Sequence, residues 1–517
     1  MSRVSREAPS IPVLRVQEPA DIPDRGLILD ADVVVIGSGA GGAVAAYELS
    51  RAGAKVVVLE AGDYVPSERF TERINDSVQM MYVEGGNQAN ATGDLVVLQG
   101  SCIGGSTVVN AAICFRTPDA VLESWGTEHG LDSLSPEALA PYFDRVERNL
   151  HIHENGPHEI NRNGQLIAEG AKKLGIPAGP LSRNIKDCVL TGHCLAGCKV
   201  DRKQSMLVSY LPWASELGAK ILSGTRAETF EVKNGRITQV NAVATDEHGK
   251  KKRVAVRAGL VVVAAGAIHT PLLFEDNALG NSSGLIGHNF ACHPSTIMLG
   301  EHEEDIYPWM GASVSTYAGN IENPKEGSYL IEAGAEGPLV FAAASDGGLG
   351  HEYVEYLRNS KKFLAAVTLI HDHNVGRVYR DNGRKRIDYD LDDRDFVSMQ
   401  EAFRNTARIY FAAGAKRVFL PTARQAVIES ADQVDSMVNA LKNEKHQYRM
   451  YSYHPQGTMR MGSDPTKSVV GPDGKMHDLD NVYVVDASVF PTTLLVNPQE
   501  TVYAISSYLS DKIVERG

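Results

Sequence analysis

Several things are missing from this chain of 517 residues, and each absence removes a class of function. No stretch of about 18 consecutive apolar residues occurs, so no segment is expected to span a membrane as a helix. The opening run Met1–Val13 has no apolar core and does not resemble a secretory signal, which points to a cytoplasmic address with peripheral membrane contact left open. Basic charge is short: 51 Lys and Arg stand against 64 Asp and Glu, a net −13. Such a balance provides no broad basic face for nucleic acid. Cysteine is scarce, with six in the whole chain, which is too few for a disulfide framework. No internal repeat and no low-complexity tract stands out. What remains, 43% hydrophobic and 22% charged residues, is an ordinary globular composition long enough for two or three domains.

The most informative stretch is residues 32–62. An apolar run, Val33 to Ile36, has the pattern of a buried parallel strand. Gly37, Gly39 and Gly42 follow at G-x-G-x-x-G spacing, then an Ala-rich helix, then a second apolar run, Val56 to Leu59, ending in Glu60. Gly37 permits the tight turn, Gly39 lets the backbone approach a pyrophosphate, and Gly42 lets the helix pack close to the strand. The helix N-terminus offers free N–H groups and positive dipole to phosphate. Glu60 is placed to hold a ribose diol and disfavours a 2′-phosphate, so the unit fits NAD or FAD.

Around this unit the chain divides by composition. Residues 1–30, rich in Pro, Asp and Arg, are expected to form an arm, and 31–150 the first part of a dinucleotide-binding domain. Residues 151–205 form an excursion rich in His, Gly, Asn and Cys. Residues 206–299 return to αβ pattern, with a helix near Met206–Leu217, strands at Ala219–Glu231 and Arg236–Thr245, and a buried run from Leu260 to Ala267. Residues 300–445 predict strands at Phe363–Ile370, Gly376–Tyr379 and Arg386–Tyr389, and a helix around Asp395–Ala413. They suit an inserted substrate domain, with residues 446–517 as a C-terminal catalytic and cofactor-binding segment. The fold class expected is α/β (α+β overall): a Rossmann-like parallel sheet with an inserted antiparallel-sheet domain.

Three further stretches point to a family. They are the glycine-rich loop from Gln99 to Asn110, the run His454-Pro-Gln-Gly-Thr-Met-Arg-Met-Gly462, and Asn497-Pro-Gln-Glu-Thr501. The run from Asn481 to Pro491 lies between the last two. With the N-terminal cradle, they resemble the glucose–methanol–choline (GMC) oxidoreductases from about residue 30 onward. Within that family, Lys203–Pro212 and the glycine-rich loop look most like the long-chain (fatty) alcohol oxidase and dehydrogenase branch.

The resemblance implies FAD and the oxidation of a primary alcohol, apolar, long-chain or bulky, by hydride transfer to flavin N5, giving an aldehyde. Such chemistry needs a base near neutral pKa, and imidazole suits it. The implied base is His454, with Asn497 sharing the alcohol oxygen as a hydrogen-bond donor. Alone, His454 would pass for a hydrogen-bonded core histidine and Asn497 for a turn opener before Pro498. Gly104, Gly105, Ser106 and Asn110 match the loop along the isoalloxazine, Asp486 a residue near the pyrophosphate, and the backbone at Ala227 should meet adenine. No histidine lies between residues 91 and 128 to tether the flavin, so noncovalent FAD is expected.

Cys188, Cys194 and Cys198 follow C-x5-C-x3-C, a ferredoxin run with Thr191 at the second cysteine position. They are candidates for a three-iron cluster, or with His193 for zinc, but a loop without metal is the favoured reading. His371 and His373 are read as a strand-end polar cluster, and His293 as structural. Trp309, Met310, Tyr317, Phe341 and Tyr353 suggest an apolar pocket lining. The electron acceptor, oxygen or another, is left open, as are an acceptor-dependent dehydrogenase with an iron–sulfur relay and a lyase or fatty-acid photodecarboxylase on the same fold. A photoenzyme needs no base, so the retained His454/Asn497 pair argues against it.

Overall fold

The run Leu27–Ile36 forms the central strand of the first sheet, because its last four residues are fully apolar and can be covered on both faces. The computed structural model describes residues 12–321, 328–334, 350–373, 375–424 and 426–516. Leu27–Ile36 is flanked in parallel by Val56–Leu59 and Lys251–Val263. Beyond Val56–Leu59 lie Lys220–Leu222 and Val16–Gln17, both parallel. Beyond Lys251–Val263 lie Arg236–Thr245 and Thr225–Lys233, both antiparallel, while Val482–Val484 also pairs in parallel with Lys251–Val263. The sheet therefore has eight strands. Lys251–Val263 does two jobs: its first half alternates buried and exposed, and its last three residues are buried together. Leu27–Asp30, in the stretch expected to be an arm, is strand paired with Val254–Arg257.

The second sheet has nine strands, almost all antiparallel. Its centre is Ser295–Glu301, Phe363–Ile370, Tyr329–Gly334 and Val314–Ala318, paired in that order. The helix Asp393–Ala413 covers it with Phe396, Met399, Phe403 and Tyr410. Asp392 caps that helix by accepting from the Asp395 amide, and Gly414 ends it in the left-handed region at φ 103°. The helix Arg162–Lys173, from the Cys- and His-rich excursion, belongs to the same layer: its Asn163 Nδ2 donates to the Ala365 carbonyl at 2.8 Å. The architecture is thus a mixed parallel sheet domain joined to an antiparallel one, as expected for the fold class. Phe341 lies outside the described residues. Among the described residues, no helix is long and apolar enough to cross a membrane.

Candidate active site

The cradle is built as its glycines dictate. The helix Ala40–Arg51 starts directly after Gly39. Gly37 sits at φ +99°, and a Cβ there would meet the Ala264 carbonyl oxygen at 2.3 Å. A Cβ on Gly42 would lie 2.0 Å from the Gly37 oxygen, so helix and strand touch only because neither carries one. Gly39 differs: its Cβ would meet nothing nearer than the Gly105 Cα at 4.0 Å. That open space at a helix N-terminus is where a pyrophosphate needs backbone approach. The residues present therefore fit a dinucleotide.

Glu60 and Asp486 both stand at this cradle, and both are first tied to the protein. Glu60 Oε2 accepts from the Ser38 amide at 2.8 Å and its hydroxyl at 2.7 Å, while Oε1 accepts from the Gly62 amide at 2.8 Å. Burial raises its pKa against those donors. Asp486 accepts from the Ser488 and Gly266 amides, each at 2.8 Å, and from Thr270 Oγ1 at 2.6 Å. Ser38 was not anticipated; its hydroxyl also accepts from the Gly104 amide at 3.0 Å, binding the two glycine-rich loops together.

That second loop folds over the helix start. Gly104 and Gly105 are both at positive φ, 92° and 55°, and a Cβ on Gly105 would lie 2.9 Å from the Gly39 Cα. Ser106 is exposed and accepts from the Gly100 amide at 3.0 Å. Asn110 donates to Gln499 Oε1 at 2.7 Å, which joins the loop to the C-terminal helix Gln499–Arg516. Ala227 lies at the start of an edge strand of the cofactor sheet, next to a break in register with its partner.

The structure brings His454 and Asn497 together. Asn497 Nδ2 is 3.3 Å from His454 Nε2, and both residues are buried, at 7% and 8% exposure. Burial alone pushes the His454 pKa down to about 3, so the ring is neutral. His293, expected to be structural only, is the third member. It is fully buried at φ 46°, its ring edge-on to His454 with centroids 5.3 Å apart, and the two Nδ1 atoms are separated by 3.3 Å. Asp372 holds that backbone by accepting from the Cys292 and His293 amides, each at 3.0 Å. His371 and His373 serve as hydrogen-bonding partners of Thr493 and Asp395.

Glu332 was also not anticipated. It is 5% exposed in the strand Tyr329–Gly334, and its carboxyl stands within hydrogen-bonding reach of the Asn497 side chain. Burial raises its pKa to about 8. Its Oε1, like Asn497 Oδ1, is buried without a hydrogen-bond partner.

The cysteine loop is organised around a lysine. Lys203 Nζ, in a residue only 2% exposed, donates to the carbonyls of Val108 and Asn110 at 2.7 Å and of Cys194 at 2.8 Å. Cys198 Sγ accepts from the Arg202 and Lys203 amides. Among the described residues, no three His, Cys, Asp or Glu side chains are grouped to hold a metal ion.

Comparison with known proteins identifies the family. Profiles described as GMC oxidoreductase match residues 78–295 and 372–506, and one described as FAD dependent oxidoreductase matches 32–82. An uncharacterised GMC-type oxidoreductase of Mycobacterium tuberculosis is 32% identical over 96% of this chain and 77% of its own. The long-chain-alcohol oxidase FAO4A of Arabidopsis thaliana is 28% identical over 96% of this chain and 70% of its own. The crystal structure of pyridoxine 4-oxidase from Mesorbium loti superposes with a TM-score of 0.67 at 21% identity, covering 93% of this chain and 98% of its own. A formate oxidase structure shares the fold with a TM-score of 0.71 at 15% identity, covering 94% and 98%. The chain belongs to the GMC oxidoreductase family and is an FAD-dependent oxidoreductase.

Proposed function

We propose that the protein oxidises a primary alcohol to the aldehyde, with an apolar, long-chain or bulky substrate, and that the hydroxyl binds at His454 and Asn497. The observation that carries this reading is the 3.3 Å approach of His454 Nε2 to Asn497 Nδ2, both residues being buried. The Gly39 cradle and the loop Gly104–Asn110 would hold FAD noncovalently, and FAD would supply the hydride acceptor. The chain's own residues do the rest: they hold the alcohol oxygen, exclude water and take the hydroxyl proton. His454, the base implied by the sequence, is neutral, as a base must be before it acts. The similarity to a long-chain-alcohol oxidase supports an apolar substrate.

The test is anaerobic mixing of the purified flavoprotein with a series of C4–C16 primary alcohols, aryl alcohols, sterols and sugars, followed at the flavin band. Bleaching by primary alcohols, fastest for long chains, is the expected result. No bleaching with any alcohol would remove the proposal. Parallel turnover with oxygen and with a dye acceptor distinguishes oxidase from dehydrogenase.

A further inference from the structure

The cysteine turn singled out in the sequence is bound to the flavin loop through its main chain. Three successive carbonyls of that loop, at Val108, Val109 and Asn110, are taken by two buried side chains. Lys203 Nζ donates to those of Val108 and Asn110, each at 2.7 Å, and Tyr82 Oη lies 3.1 Å from that of Val109. The same two side chains reach the turn Cys194–Ala196. Lys203 Nζ donates to the Cys194 carbonyl at 2.8 Å, and Tyr82 Oη lies 2.8 Å from that of Leu195. Ser77 Oγ donates to the Ala196 carbonyl at 2.9 Å. The Met206 amide donates to Thr107 Oγ1 at 3.0 Å, so the segment that carries Lys203 backs the loop from Thr107 to Asn110.

The three acceptors around Lys203 define its charge. A neutral amine has two hydrogens and a lone pair that a carbonyl oxygen repels, whereas an ammonium has three hydrogens and matches three carbonyls. The residue is only 2% exposed, so salt and water screen that charge weakly. The carbonyls are dipoles: they orient toward the charge and do not cancel it. Asn110 offers its carbonyl to Lys203 and donates from its side chain to Gln499 Oε1 at 2.7 Å. The ammonium is thus linked through a single residue to the segment that carries Asn497.

We propose that Lys203 is a positioning residue for the flavin, whose ammonium, seated behind the flavin loop by the cysteine turn, fixes that loop and favours the reduced cofactor. The proposal rests on FAD lying along Gly104–Asn110 and not on the identity of the alcohol. A hydride brings two electrons and one proton, so FAD gains one negative charge on reduction. A fixed positive charge lowers the energy of that product. A unit charge acting over about 10 Å at an effective dielectric of about 20 shifts an equilibrium by about tenfold or more. The cysteine turn acts here through its carbonyls, which complete the seat of the ammonium.

The midpoint potential of the flavin in the holoenzyme decides it, measured by anaerobic reduction with dithionite against a reference dye. Lys203→Met and Lys203→Gln should each shift the equilibrium about tenfold or more against the reduced flavin, a fall of about 30 mV for a two-electron couple. Lys203→Arg, which keeps the charge, should stay within a few-fold of wild type. Tyr82→Phe breaks the neighbouring links to Val109 and Leu195 without removing a charge, and it should leave the potential in place. A wild-type potential in Lys203→Gln, or a Tyr82→Phe shifted as far as Lys203→Gln, overturns the proposal. If Lys203→Met does not fold, Lys203→Gln and Lys203→Arg carry the comparison, since Gln keeps two of the three donors and removes the charge. Loss of flavin from both of these would show that the site requires the shape of lysine and not its charge, and would overturn the proposal too. The titration needs no alcohol, so a wild type that no alcohol bleaches would remove alcohol oxidation and still leave the role of Lys203 decided.

Discussion

Gly39 and Gly42 lie three residues apart in one turn, yet the structure assigns opposite consequences to a side chain at each. At Gly42 a Cβ would stand 2.0 Å from the Gly37 oxygen, 3.0 Å from its carbonyl carbon and 3.2 Å from the Ala264 Cβ. Two of these atoms are backbone, so the helix must shift off the sheet, and overpacking of this kind costs about 1–3 kcal/mol. Removing a glycine from the helix returns at most about 1 kcal/mol of that. With a backbone oxygen only 2.0 Å away the cost falls at the upper end of that range, so Gly42→Ala should lower apoprotein stability by a net of about 2 kcal/mol. At Gly39 the backbone is at φ −71° and ψ −160°, open to any residue, and the nearest atom to a Cβ is 4.0 Å away. Gly39→Val should leave the apoprotein within about 0.5 kcal/mol of wild type, as for a substitution that meets nothing. It should nonetheless purify without flavin, because the valine occupies the space that a pyrophosphate requires. Denaturant melts of the stripped proteins and the flavin-to-protein absorbance ratio measure the two effects separately. A Gly39→Val protein with full flavin content refutes the cradle, and a Gly42→Ala apoprotein as stable as wild type refutes the packing argument.

His454→Ala should retain FAD but reduce it by alcohol about 10²–10⁴-fold more slowly in stopped flow, the usual contribution of a general base. Flavin reoxidation, measured separately, should change little. Burial raises the Glu332 pKa to about 8, so this group's stabilising contribution is complete below the ordinary carboxyl range and is lost as pH rises through about 8, which pH-dependent melts of wild type and Glu332→Gln can compare. Flavin should leave with acid precipitation, and colour retained in the pellet would show a covalent link. Lys203→Met should lower stability by about 2–4 kcal/mol, since it leaves three carbonyls around the flavin loop without their donor, read as a shift in denaturant midpoint.

The parts of the molecule that depend on local pattern were legible in the sequence. The cradle follows from glycines at fixed spacing between two apolar runs, and Phe363–Ile370 is a strand in the structure over the range expected. His454 and Asn497 were found because each sits in a motif, although 43 residues separate them and only the fold brings them to 3.3 Å. His293 carried no such signal. A histidine before proline has no local pattern that marks it, and its meaning comes from amides 201 and 202 positions later in the chain. Glu332 misleads for another reason. In Tyr-Leu-Ile-Glu-Ala-Gly a single acid reads as the wet side of a strand, but the second sheet is covered on both faces and buries it at 5% exposure. Glu60 and Asp486 were read from the sequence as cofactor-binding residues, while their hydrogen bonds to Ser38, Gly62, Gly266 and Ser488 depend on loops that sequence spacing does not define.

Backbone pairing explains how His454 and Asn497, so far apart in sequence, are held 3.3 Å apart. Met450–Ser452 pairs with Leu95–Val97 and, at Tyr451, with the strand Ser295–Glu301, while Val482–Val484 pairs with Lys251–Val263 of the cofactor sheet. The C-terminal segment therefore stitches the two sheets together, and His454 follows two residues after one seam. Its amide nitrogen stands 3.3 Å from Ser452 Oγ, which itself donates to the Cys292 carbonyl at 2.8 Å. Gln456 bridges back to Ala291, closing a backbone frame around His293. Asn497 leaves the opposite side of the same segment, directly after the Leu494 and Leu495 amides that fix the His293 ring. One short stretch of chain thus sets both the spacing of His454 and Asn497 and the seat of the His293 ring. A substitution that loosens either seam should disturb the two together.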